Sequence, residues 1–292
     1  MKILIMKAAP YMILELSKCV EKNEGNIPDM KNCIHSYLQG LSDREKQRNI
    51  RSDVYGITFP SLRKLKLIIG RGRFLQLNSN GKLLLKSYSS GGFDKFKYQF
   101  GRILYEIDKR KCKVVPSLLE ISKREKRDTV TYKQLVSTLT NKGVETCEKD
   151  ERLRKWLPFL EYVDLIKKPE KTNLMVNLKL IKDYKLRKPT APFKLFEETL
   201  FEEYKKSEVR DGIYVPIYKL VMKVCTTLIQ EGYFFSTYDF EASFVALLNK
   251  YSSLERKKIL LSQPGKREEE GIYIDNTYYY FISIYDIKED AA

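Results

Sequence analysis

The sequence predicts a mainly α fold with small antiparallel β-hairpins, arranged as two or three units in tandem. Three observations carry this reading. First, a short phrase recurs in varied form: a helical stretch ends in apolar residues, a strand follows, then a turn, then a closing strand. Second, linker-like stretches separate the copies, at Ser89-Ser90-Gly91-Gly92 and at Arg187-Lys188-Pro189-Thr190-Ala191-Pro192. Third, the charge divides. Residues 1–190 carry 41 Lys/Arg against 21 Asp/Glu, a balance of +20, while residues 191–292 carry 13 against 17, a balance of −4.

The elements follow from periodicity and from cap signals. Tyr11 to Val20 reads as a first helix, with Leu14, Leu16 and Val20 near one face. Asp29 caps a second helix over Met30 to Leu38. Ser42 with Glu45 forms a capping box that opens a short polar helix to Ile50. Thr58 caps the next helix from Phe59, with Pro60 in its first turn. Then comes the clearest copy of the phrase: strand Ile68-Ile69, turn Gly70 to Arg73, strand Phe74 to Leu77. A helix restarts at Lys82 to Tyr88.

Beyond the Gly-Gly pair, Phe96, Phe100, Ile103, Leu104 and Ile107 mark an amphipathic helix over Phe93 to Asp108. Val114 to Arg124 gives another. Thr129 caps a helix from Thr131 to Leu139. The second copy of the phrase has a helix from about Glu148, ending at Leu160 or earlier because of Pro158. A strand to Ile166 follows, then a basic turn from Lys167 to Asn173, then Leu174 to Leu178. After the proline linker come helices at Phe193 to Lys206, Val215 to Gln230 and Asp239 to Tyr251. Strands are expected at Lys257 to Ser262, Ile272 to Ile274 and Tyr278 to Tyr285, the last alternating aromatic and β-branched residues.

This arrangement resembles the winged-helix (winged helix-turn-helix) superfamily. The resemblance rests on the helix and hairpin from Phe59 to Leu77, on Leu153 to Leu178, and loosely on residues 205–287. The "glycine, lysine, leucine, leucine" run at Gly81 to Leu84 resembles the exit from prokaryotic winged-helix domains. It implies tandem winged-helix domains: residues 1–90 and 93–186 as DNA-binding units, and 193–292 as a possible third unit for protein interaction. It also implies that the last helix of each unit lies in the major groove and that the hairpin wing touches phosphates. The candidate DNA-contacting residues are Ser61, Arg63, Lys64, Lys66, Arg71 and Arg73 in the first unit. In the second they are Lys149, Arg152 and Lys155 on the helix, with Lys167, Lys168 and Lys171 in the wing.

Composition supports a polyanion partner. The chain has 292 residues with 43% hydrophobic content, enough for real cores, and a net charge of +16 with a pI near 9.4. On the helix near 149–160, Leu153, Trp156, Leu157 and Leu160 form the apolar face, and Lys149, Arg152 and Lys155 recur at a spacing of three away from it. The bland counterpart is a solvated basic face in which Glu148, Asp150 and Glu151 pair locally with those cations. Tyr278 to Phe281 could suggest base stacking, but neighbours on a strand point to opposite faces, which favours core or partner contact.

Catalysis finds little footing. There is no Walker loop and no G-x-G-x-x-G, and His35 is the single histidine. Glu203-Tyr204-Lys205 matches a bare E-x-K after Glu197, Glu198 and Glu202, but on an expected helix rather than the strand that a metal-dependent nuclease needs. No cofactor and no metal are expected. Five scattered cysteines without a C-x-x-C pair read as buried thiols in a reducing compartment. No apolar run reaches the roughly 18–20 residues of a membrane span, and no convincing secretory signal opens the chain. The expectation is a cytoplasmic, non-enzymatic DNA-binding protein that takes a protein partner, or a second copy, through residues 193–292. The alternatives are a scaffold subunit of a nucleoprotein complex and a metal-dependent nuclease.

Overall fold

The structure is a computed structural model. It describes residues 8–40, 54–70, 72–146, 151–170, 172–186, 189–207, 214–252, 257–263, 271–275 and 277–286. It is mainly helical, with small antiparallel sheets. By its contacts the chain forms two compact units: Met1–Leu77 with Leu84–Arg187, and Asn78–Leu83 with Lys188–Ala292. None of the described helices is long and apolar enough to cross a membrane.

The first unit opens with a short 3-10 turn, Pro10–Met12, and α1 (Ile13–Lys22), which buries Ile13, Leu16 and Val20. Helix α2 (Ile27–Gln39) starts earlier than expected. Its capping side chain is Asn26, whose Oδ1 accepts the backbone N–H of Asp29 at 3.3 Å; Asp29 lies in the first turn, where its charge suits the helix dipole. The Ser42–Glu45 capping box lies outside the described residues.

Cys19 on α1 and Cys33 on α2 form a disulfide with their Cα atoms 5.6 Å apart. The expectation of five thiols is corrected here, and it no longer supports a reducing compartment. Spacing alone gave no hint, because the pair forms only once two helices lie side by side. Cys112 and Cys225 are buried thiols as expected, and Cys147 lies outside the described residues.

Helix α3 (Val54–Lys64) contains both Thr58 and Pro60, so Thr58 is not its cap. The chain then turns through Lys66 in the left-handed region, φ 52°. The N–H of Leu67 reaches back to the carbonyl of Leu62 at 2.9 Å, a Schellman closure. Strands β1 (Ile68–Ile69) and β2 (Gln76–Leu77) pair antiparallel, Ile68 opposite Leu77.

The span α4 (Ser79–Ile107) is two helices that meet at Gly91 and Gly92. Both glycines leave helical geometry, Gly92 at φ 65°, so the helix breaks at the glycine pair as expected. Residues on both sides of the break, from Leu84 onward, belong to the first unit, so the break does not divide the two units. Phe96, Phe100, Ile103, Leu104 and Ile107 are all buried, as the periodicity required. A π-turn, Asp108–Cys112, leads into α5 (Val114–Glu125).

Next come β3 (Thr129–Thr131), α6 (Tyr132–Asn141), α7 (Glu151–Tyr162), β4 (Ile166–Glu170), β5 (Asn173–Val176) and α8 (Leu178–Leu186). Thr131 rather than Thr129 caps α6, in a capping box with Gln134. Residues 129–131 are a strand instead, and the sheet order is β3-β5-β4. Helix α7 passes through Pro158 to Tyr162, against the expected early stop.

The second unit repeats the order. It has α9 (Phe193–Lys205), β6 (Val215–Pro216), α10 (Ile217–Gln230), α11 (Thr237–Ser252), β7 (Lys257–Ser262), a small hairpin of β8 (Ile272–Ile274) and β9 (Thr277–Tyr279), and β10 (Phe281–Asp286). The sheet order is β6-β10-β7. The expected strand from Tyr278 to Tyr285 is split at Tyr280 between two sheets. The core gathers Phe196, Leu220, Val224, Phe235, Phe240 and Phe244, with Ile282 and Ile284 from β10. Helix α11 begins at Thr237, two residues before the expected start, because Ser236 and Asp239 cap it reciprocally. The first turn of α4 belongs to this unit: Asn80 Oδ1 accepts both the N–H and the hydroxyl of Thr237, at 3.0 and 3.1 Å.

The cross-link makes a measurable prediction. Replacing Cys19 and Cys33 by serine, or adding reductant, should lower stability by about 3 kcal/mol, the effect of closing a loop of this size in the unfolded chain. Denaturant melts with and without reductant check it; identical curves would show that the bond does not form in solution.

Candidate nucleic-acid interface

Helix α7 is fixed before it can present anything. Leu153, Trp156, Leu157 and Leu160 are at most 3% exposed, and Phe159 joins them at 1%. Trp156 donates its indole N–H to Asp108 Oδ1 at 2.7 Å. Asp108 is wholly buried and also accepts the N–H groups of Val114 and Val115 at 3.3 and 2.7 Å, which start α5. One carboxylate thus ties the end of α4, the start of α5 and the centre of α7 together. Burial pushes the Asp108 carboxyl from 3.8 up to about 6, against the pull of those three donors and the charge of Lys113.

The opposite side of α7 carries the cations, and most are already engaged. Arg152 donates to the carbonyl of Glu145 at 3.0 Å, with the Glu145 carboxylate 4.0 Å away. Lys155 pairs with Glu151 at 2.6 Å and holds that carboxyl below the usual range. Lys168, on β4, pairs with Glu161 of α7 at 2.9 Å. This is the local pairing that a solvated basic face would show. Such exposed pairs are worth little, and a phosphate can take the carboxylate's place. Lys167 is exposed on β4, and Arg154 is exposed on α7. Arg154 lies outside the spacing of three that links Lys149, Arg152 and Lys155. Lys149 and Lys171 lie outside the described residues.

The first hairpin sorts its candidates differently. Ser61, expected on the open side of α3, is 1% exposed and accepts the N–H of Ala8 at 3.2 Å, so it faces the core. Arg63 is half-buried, and its guanidinium donates to the carbonyl of Gly70 at 2.8 Å. It braces the turn rather than reaching outward. Gly70 sits at φ 85°, and a Cβ there would lie 2.0 Å from the Phe74 carbonyl oxygen; the turn closes only around glycine. Lys64 and Lys66 are half-buried, and Arg73 is exposed. Arg71 lies outside the described residues. Phe74, expected within a strand, sits instead in a 3-10 turn, Gly72–Phe74, and is 67% exposed.

The corresponding surfaces of the second unit are different. On α11 the outward positions are Ala242, Ala246, Asn249 and Lys250, and Lys250 is paired with Glu197 at 2.7 Å. The aromatic strand is largely packed within its own unit. Ile282 and Ile284 are 0% and 5% exposed, and Tyr278 and Tyr280 are half-buried, stacked with each other. Glu203 lies on helix α9, 8% exposed and 3.2 Å from Lys206. Among the described residues no group of three or more His, Cys, Asp or Glu side chains could hold a metal.

Comparisons with family models, with curated proteins and with solved structures find no match to this chain.

The Asp108 anchor sets a pH signature. Between about pH 4 and pH 6 the folded protein keeps a proton on Asp108 that the unfolded chain releases, so stability attributable to this group falls as pH rises through that window. Asp108→Asn should flatten that slope in urea melts taken across the window. It should also cost about 1–3 kcal/mol near neutral pH, because an amide nitrogen must then face an N–H donor. An unchanged pH profile would mean that Asp108 titrates like an exposed carboxylate.

Proposed function

We propose that the protein is a non-enzymatic duplex-DNA-binding protein built from tandem winged-helix units, with its basic surface on residues 1–190. The observation that carries this reading is the repeated order helix, strand, helix, helix, strand, strand, with the first strand pairing to the last. It occurs from α5 to β5 and again from α9 to β10, where the separate hairpin of β8 and β9 is inserted between the last two strands. Among the described residues the opening segment follows the same order, with a turn in place of the first strand. That order is what the winged-helix resemblance implies.

Binding is electrostatic first. The balance of +20 over residues 1–190 favours phosphate neutralisation with counterion release. The pairing of Arg152, Lys155 and Lys168 with nearby carboxyls or carbonyls favours contacts that exchange one anion for another, and so backbone contacts over base readout. The acidic second unit is assigned to a protein partner or a second copy on charge alone. The protein acts inside the cell in this reading.

Salt titration of the full chain on a short duplex tests it. Log affinity should fall linearly and steeply as log salt rises. Arg154→Ala with Lys167→Ala should weaken binding to all duplexes alike and reduce the slope by about 2. Binding without salt dependence would sink the proposal, and an unchanged slope would remove the second hairpin from the interface. Plasmid DNA should stay intact in magnesium or manganese. Cleavage abolished by Glu203→Gln would replace this reading with the nuclease.

A further inference from the structure

Phe74 is the most exposed of the large hydrophobic side chains among the described residues, at 67%. Leaving a phenylalanine ring in water forgoes the stabilisation that burial would provide. The flanking sequence shows that the hairpin can bury apolar groups, since Leu75 and Leu77 are 1% and 0% exposed. The exposed position is therefore specific to residue 74.

The ring stands on a stiff base. Gly70 and Phe74 approach so closely that no Cβ fits between them. Arg63 clamps the carbonyl of Gly70, and the N–H of Gly25 binds the carbonyl of Leu75 at 3.1 Å. Fixing a contact group before binding lowers the entropy lost on association. Beside the ring, the Arg73 guanidinium lies 5.1 Å from its centroid. A rigid apolar ring next to a cation matches the chemistry of a DNA step pushed apart: the ring enters between bases while the cation meets the adjacent phosphate or the minor groove.

We infer that the first hairpin is a wedge, in which Phe74 inserts against the bases of duplex DNA at a deformable pyrimidine–purine step while Arg73 holds the backbone beside it. The inference rests on the DNA-binding reading above and adds to it the kind of site preferred. TA and CA steps unstack most cheaply, so they are the preferred positions. Selectivity then comes from deformability rather than from hydrogen bonds to base edges.

The test uses the full chain and two short duplexes of equal length. One has a central TA step with 2-aminopurine in place of its adenine, and the other has a stiff A-tract at its centre. The wild type should bind the TA duplex more tightly, and 2-aminopurine fluorescence should rise at saturation as the base leaves its stack. Phe74→Ala should weaken binding to the TA duplex about tenfold and abolish the fluorescence rise. Its salt slope should stay unchanged, because no charge is removed. Phe74→Tyr should restore both signals. A loss of affinity accompanied by a lower salt slope would mean that the hairpin has collapsed and displaced Arg73, and would overturn the wedge. So would a Phe74→Ala variant that binds and fluoresces like the wild type, which would leave DNA binding itself intact. A wild type that binds neither duplex would overturn the DNA-binding reading as well.

Discussion

A two-stranded hairpin buries too little apolar surface to stand alone in water, and needs a third strand or a helix against it. This constraint organises the protein. The hairpin of β4 and β5 gains β3, which pairs with β5 from Thr129–Met175 to Thr131–Asn173. The pair β7 and β10 gains β6, through Val215 and Pro216. The shortest hairpin, β1 and β2, has no strand to spare and uses a turn instead. Gly25 donates to Leu75 at 3.1 Å, and the carboxylate of Glu24 accepts the N–H of Leu77 at 3.0 Å. A side chain there does what a strand carbonyl does in the other two. In each case the supporting piece precedes the helix pair in sequence, so its pairing with the hairpin spans the two helices.

The helices are stopped in matching ways. Lys66 after α3 and Asp164 after α7 both take left-handed geometry, and Leu67 and Leu165 reach back five residues to Leu62 and Leu160, each at 2.9 Å. Both helices carry a proline six residues before that stop, Pro60 and Pro158. Gly143 after α6 and Gly232 after α10 form a second matched pair, with Val144 reaching Leu139 and Tyr233 reaching Leu228. Each closure satisfies carbonyls that a helix end would otherwise leave unpaired, and it fixes the direction in which the next element leaves.

The strong apolar periodicities were legible in the sequence. The faces of α4 and α7, the presence of the two clear hairpins and the position of Trp156 in the core could be read from spacing, but the expected turn at Lys167 to Asn173 is mostly strand, β4 running to Glu170 and β5 starting at Asn173. What escaped depended on long-range partners. A two- or three-residue strand such as β3 or β6 has no periodicity of its own, and Thr129-Val130-Thr131 looks like a cap until β5 lies beside it. The Cys19–Cys33 pair required knowing that α1 and α2 touch. Ser61 and Arg63 carry the polar chemistry of surface residues, yet one is buried against Ala8 and the other is committed to Gly70. Composition counts donors; it does not show which donors the fold has already used.

That distinction shapes the difference between copies of the same plan. In the first unit, the fold uses Arg63 and Arg152 as braces and leaves Arg73, Arg154 and Lys167 outward. In the second unit, the helix in the equivalent place presents Ala242, Ala246 and Asn249, and its lysine is held by Glu197, which Tyr251 also bonds at 2.6 Å. Alanine offers a phosphate no donor, and asparagine offers no charge. The two stretches share an order of elements but not a surface chemistry. A scaffold can be repeated because its requirements are backbone hydrogen bonds, caps and a filled core, all of which tolerate any outward side chain. The outward side chains can then differ between stretches of the same element order, and the charge balance changes at the proline linker.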